Sequence, residues 1–159
     1  MKVESREYKL LVDHGLFQDP TKAVASLWEA IEDAAKTLPG VKTKGKFDET
    51  QTRRIVFLDT PDHTLRANGL VLRQRSLEDA IEYTLKCRSE DRCFALGTNV
   101  ESADGLGPKP KMEEDIVPPF LCRYSHSVTI RVAGDKKDTS RKAPKDLGDA
   151  AAFFPMLSD

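Results

Sequence analysis

Residues 69–89 read GLVLRQRSLEDAIEYTLKCRS, and the period of this stretch decides the fold. Its two arms are rich in Leu, Val, Ile and Tyr and are joined by a short polar segment, which predicts a β-hairpin. Successive side chains of a strand point to opposite faces. Arg73 and Arg75 therefore share one face of the first arm, and Thr84, Lys86 and Arg88 share one face of the second. Two neighbouring strands that carry paired cations on one side are either solvated there or built around a strongly anionic ligand.

Outward from the hairpin, the N-terminal KVESREYKLLVD alternates and predicts a strand over 3–12. Asp19-Pro20 supplies a helix N-cap followed by proline at the first helical position. Val24, Leu27, Trp28, Ile31, Ala35 and Leu38 then recur at helical spacing up to Pro39-Gly40, so a long helix is expected with a packing stripe on one side. Segments 41–49 and 51–60 read as strands, and PDHTLRANG at 61–69 as a short helix or turn. Asp59 and Asp62, around Thr60-Pro61, read as caps of this helix. Residues 90–110 are rich in Gly, Pro, Asn and Asp and read mostly as loop. KMEEDIV (111–117) predicts another strand, FLCRYSHSVTIRVA (120–133) an extended segment, 134–145 a polar linker, and DLGDAAAFF a closing helix. The expected class is α+β with a mainly antiparallel sheet.

The 159 residues suit one domain, with 25 basic against 26 acidic side chains. No global field recruits DNA or an anionic membrane, so anion selectivity must be local. The apolar runs are too short for a membrane span and the charged N-terminus has no signal-peptide core, which predicts a cytoplasmic protein. Cys87, Cys93 and Cys122 are odd in number and lack metal-ligand spacing, as expected of reduced thiols. The histidines at 14, 63 and 126 are scattered and read as structural.

Parity extends the hairpin's charged face to two other strands. Ser5, Glu7 and Lys9 share a face, as do Lys111, Glu113 and Asp115. Taken singly, each such face reads most simply as wet. If they converge, one cavity collects carboxylates from Glu7, Glu113 and Asp115 and cations from Lys9, Arg73, Arg75, Lys86, Arg88 and Lys111. Like charges ~6 Å apart at an effective dielectric of ~20 repel by roughly 3 kcal/mol, so crowded cations need anions between them. A polyphosphate supplies several charges and many acceptor oxygens. Carboxylates beside it become favourable when Mg²⁺ or Mn²⁺ bridges them to phosphate.

FLDTPDHTLRANGLVLRQR followed by EYTLK resembles, in order and spacing over about 35 contiguous residues, the Y-[FY]-D-T-P-D-x-x-L…G-x-x-L-R-x-R…T-x-K pattern of the CYTH superfamily, the triphosphate tunnel metalloenzymes. REYKLLV and KMEED resemble its flanking E-x-E-x-K and R-x-E-x-E strands. The resemblance implies an eight-stranded antiparallel barrel or tunnel over 1–133. It implies Mg²⁺ or Mn²⁺ as cofactor and a small-molecule triphosphate or polyphosphate as ligand. Carried over position by position, Lys9, Arg73, Arg75, Lys86 and Lys111 contact phosphate, with Arg54 and Arg88 as further candidates, and Glu7, Glu113 and Asp115 hold metal. Lys86, Arg73 and Arg75 would clamp the transferring phosphoryl group.

The chain departs from the pattern in three ways. Ser5 stands where the first Glu is expected, with Glu4 on the opposite face. Lys111 and Asp115 replace Arg and Glu, which keeps charge but loses bidentate geometry and reach. Residues 134–159 read as linker and helix in place of closing strands, so the barrel is expected to be incomplete or completed by a second copy. The expected function is hydrolysis of inorganic triphosphate or short polyphosphate. The alternatives are a non-catalytic polyphosphate-binding module and an adenylate cyclase of class IV type.

Overall fold

The computed structural model describes residues 2–45, 53–77, 80–103, 105–119, 121–133, 144 and 146–158. They divide into two units, Leu10–Thr52 on one side and Met1–Lys9 with Arg53–Asp159 on the other.

In the first unit a 3₁₀ turn, His14–Phe17, precedes helix α1, Pro20–Lys36. The Asp19 carboxylate accepts from the Lys22 N–H at 3.2 Å, and Pro20 occupies the first turn, as the sequence predicts. Val24, Leu27, Trp28 and Ile31 are half-buried and Ala35 buried, whereas Leu38 lies beyond the helix end and is exposed. Residues 41–45 are not a strand; the rest of the strand expected over 41–49 falls outside the described residues, as does the 134–145 linker apart from Pro144.

The second unit is a six-stranded mixed sheet in the order β1-β5-β6-β4-β3-β2. The strands are β1 Ser5–Tyr8, β2 Arg54–Leu58, β3 Leu70–Ser76, β4 Ala80–Ser89, β5 Lys111–Val117 and β6 Leu121–Ala133. The predicted hairpin is β3–β4, with Arg73 opposite Thr84 and Val71 opposite Lys86. All pairings are antiparallel except β1 with β5. The sheet is not closed into a barrel: β1 and β2 lie at its two edges. The N-terminal strand is shorter than expected. The Lys9 N–H still donates to the Ile116 carbonyl at 2.8 Å, and the chain then leaves the sheet.

One face of the sheet is apolar. Leu72, Tyr83, Leu85, Cys87, Met112, Val128 and Ile130 are buried there. They are covered by Ala95, Val100, Ala150, Phe153 and Phe154, with the Tyr83 and Phe153 rings stacked at 6.1 Å. Part of this cover comes from a helix inside the predicted loop, α3 Arg92–Gly97. It is nucleated by Asp91, whose carboxylate accepts from the N–H groups of Cys93 and Phe94 at 2.7 and 3.2 Å. Composition hid it because the glycines and prolines lie after Phe94-Ala95, not among them. Helices α2 (Thr64–Ala67) and α4 (Leu147–Ala151) complete the unit. As expected, Asp59 braces α2, its carboxylate accepting from Leu65 N–H at 2.9 Å and Arg66 N–H at 3.1 Å. No described helix is long and apolar enough to cross a membrane.

Candidate functional site: a cationic cavity on the open face of the sheet

The other face follows from strand parity. Burying Tyr124, His126, Val128, Ile130 and Val132 of β6 on or toward the core side turns Arg123, Ser125, Ser127, Thr129 and Arg131 to the opposite side. The register aligns these with the charged strands: Ser127 lies between Lys86 and Lys111, and Ser125 between Arg88 and Glu113. β6 therefore forms a low floor of small hydroxyl residues, over which the long side chains of β4 and β5 meet.

The result is a cavity of about 790 Å³. Among the predicted residues it is lined by Glu7, Lys9, Arg73, Arg75, Lys86, Arg88, Lys111 and Glu113. Convergence of the charged faces, the premise of the sequence reading, holds for these side chains. Asp115 is packed just behind, 3% exposed, where its Oδ2 takes Lys9 Nζ at 2.7 Å and Arg88 Nη2 at 2.5 Å. Arg54 is not brought in. Ile55 and Phe57 of the same strand line the cavity, so Arg54 projects from the other face of β2. Sequence reasoning missed Glu82, Ile55, Phe57, Val71 and Thr129. Glu82 was available from parity, two residues before Thr84. Ile55 and Phe57 follow only from the β2–β3 register, which places them opposite Arg75 and Arg73.

The charges are distributed unevenly. At the β5 end, Glu113 is 8% exposed; its Oε1 takes Lys111 Nζ at 2.8 Å and the Ser5 hydroxyl at 3.3 Å, and its Oε2 faces Lys86 Nζ at 3.5 Å. Ser5 is thus a hydroxyl donor to Glu113, held opposite it by the parallel β1–β5 pairing. Burial pushes the Glu113 and Asp115 carboxyls up, but the surrounding ammonium and guanidinium groups outweigh it, and both stay below the ordinary carboxylate range. At the β3 end, Arg73 donates to the Thr84 hydroxyl at 3.3 Å and, among the described residues, Arg75 pairs with Glu82 at 3.5 Å. The Nε atoms of Arg73 and Arg75, like that of Arg88 at the other end, are buried with no hydrogen-bond partner among the described residues. Burial and the neighbouring Arg75 charge push the Arg73 guanidinium below its ordinary value. Lys86, between the two ends, is also pushed down, first by burial and then by Arg88, against the pull of Glu113.

Such a cavity can hold a multiply charged anion. The carboxylates expected to bind Mg²⁺ or Mn²⁺ are Glu7, Glu113 and Asp115. Glu113 and Asp115 are each engaged by two cations, and no three His, Cys, Asp or Glu side chains gather as a metal-ligating group among the described residues. Glu7 faces Lys9 at 3.5 Å with half its side chain exposed. Compared with known proteins, the chain matches no family model, no curated protein and no solved structure.

Proposed function

We propose that the protein binds a triphosphate or short polyphosphate chain in this cavity. One observation carries the reading: six cations, Lys9, Arg73, Arg75, Lys86, Arg88 and Lys111, converge on one cavity from separate segments of the sheet, and among the described residues Arg73 and Arg75 have the loosest carboxylate compensation. Crowding cations without matching anions is costly, and an anion with many acceptor oxygens offsets that cost at several of them at once. Isothermal titration with inorganic tripolyphosphate tests it. Saturable binding that weakens at least tenfold in Arg73→Ala is expected, and absence of heat at millimolar ligand would refute it.

Hydrolysis of the terminal phosphoanhydride, with Mg²⁺ or Mn²⁺, is the second reading. It is favoured by Glu7, a half-exposed carboxylate in only loose contact with Lys9, together with the resemblance of FLDTPDHTLRANGLVLRQR to triphosphate tunnel metalloenzymes. In this reading Arg73, Arg75 and Lys86 neutralise charge that develops on the phosphoryl oxygens. Colorimetric phosphate release from tripolyphosphate distinguishes hydrolase from binder, and cyclic AMP formation from ATP would identify a cyclase.

The tunnel implied by that resemblance requires closure of the open face. Ile55 and Phe57 favour it, being 46% and 66% exposed on edge strand β2 and turned toward the cavity. A second copy placed over this face would cover them, and light scattering of the protein across a concentration series tests for the dimer.

A further inference from the structure

We propose that the cavity takes up its polyphosphate without a divalent metal, and that Glu113 and Asp115 serve as internal counter-ions which phosphate must displace before any metal can reach them. The inference rests on the polyphosphate reading above and specifies the order of events at that site.

The cavity has a self-neutralised end and an under-neutralised end. At the first, Lys9 and Arg88 share Asp115 Oδ2, and Lys111 and Lys86 flank the two oxygens of Glu113. A metal ion approaching either carboxylate would sit beside two positive charges within ion-pair distance, and like charges at that range repel strongly. Its ligands would also have to be stripped from hydrogen bonds of 2.5 to 2.8 Å. At the second end, the described residues place one loosely held carboxylate beside Arg73 and Arg75, Glu82 at 3.5 Å from Arg75. Among the described residues an incoming anion meets weaker competition there, from Glu82. Once seated on Arg73 and Arg75, a chain of phosphates extends toward Lys86, which shares its strand face with Thr84, the residue opposite Arg73. Lys86 is the weaker of the two partners of Glu113, at 3.5 Å against 2.8 Å for Lys111, so it is the first to be exchanged. Each exchange leaves a carboxylate with one cation fewer, beside phosphate oxygens that a metal can bridge.

The test uses the intact chain. Tripolyphosphate is titrated calorimetrically in EDTA, and Mn²⁺ alone is followed by equilibrium dialysis. Saturable tripolyphosphate binding in EDTA and no Mn²⁺ retention by the ligand-free protein are expected. The variant Glu113→Gln with Asp115→Asn, checked for folding by circular dichroism, should bind tripolyphosphate in EDTA at least about fivefold more tightly, because its cations have lost their internal counter-ions. Stoichiometric Mn²⁺ retention without phosphate, or tripolyphosphate binding that appears only when metal is added, would overturn the proposal even if the variant fails to fold. Absence of tripolyphosphate binding with and without Mn²⁺ would instead remove the polyphosphate reading on which the proposal stands.

Discussion

Arg88 and Asp115 meet at 2.5 Å although β6 lies between their strands. The contact is possible because the residue opposite Arg88 on β6 is Ser125, too short to obstruct it. Ser125 is fully buried beneath these charged side chains. The web of ion pairs is thus the roof of the floor strand as well as the wall of the cavity, and it ties β1, β4 and β5 together.

Breaking that web at its most buried member should destabilise the sheet. Asp115→Ala leaves Lys9 and Arg88 without their shared acceptor. Removing one partner of a buried pair costs 3–5 kcal/mol, but Lys9 and Arg88 are both partly exposed and solvent screens them, so a loss of about 2 kcal/mol is expected. Urea denaturation measures it, and an unchanged midpoint would place Asp115 outside the web.

The pH dependence follows from the same carboxylates. Glu113 and Asp115 ionise below their ordinary values in the folded chain. The unfolded state therefore binds more protons as pH falls, and stability falls with it. The contribution is complete above about pH 5 and disappears as the solution is acidified below roughly pH 4 and through the folded-state values. Denaturation midpoints between pH 7 and pH 3 should show this loss, with a shallower slope in the variant Glu113→Gln, Asp115→Asn.

Lys86 should separate stability from ligand binding. Burial and Arg88 disfavour its charged form, only partly offset by Glu113. Lys86→Met keeps most of the volume and removes the buried charge, so stability should remain within about 0.5 kcal/mol of the parent or rise. Tripolyphosphate affinity should fall at least tenfold, about 1.4 kcal/mol. Equal affinities for parent and variant would mean that phosphate does not reach Lys86.

Gly69 positions Arg88 from the far end of the hairpin. Its φ is +71°, a Cβ there would lie 3.0 Å from the Arg88 carbonyl oxygen, and its own carbonyl accepts the Arg88 N–H at 2.7 Å. Gly69→Ala should cost about 1–3 kcal/mol of stability, from left-handed strain and the close approach to Arg88. Thermal melts measure the loss. A Gly69→Ala chain as stable as the parent would rule out that strain.

The apolar face offers an independent check of the fold. Phe154 is fully buried against the sheet-facing core. Phe154→Ala should cost about 3–5 kcal/mol in urea denaturation, as expected for an aromatic removed from a closed core.

Local pattern alone assigns the strand faces. Period-two alternation in GLVLRQRS, AIEYTLKCRS and KMEEDIV assigns Arg73, Arg75, Lys86, Arg88, Lys111 and Glu113 to their sides without knowledge of neighbours, because side-chain direction in a strand is a local property. The same holds for helix α1, whose cap, Asp19, and breaker, Pro39-Gly40, flank it in the chain. Strand order, by contrast, comes from long-range packing. Placing β6 between β4 and β5, and β1 parallel beside β5, depends on burial of Leu85, Met112, Val128 and Ile130 in one shared core. That non-local packing gives Glu113 and Asp115 to lysines and an arginine, turns Arg54 away from the cavity, and leaves the sheet open, since no local pattern records which edges a strand will find.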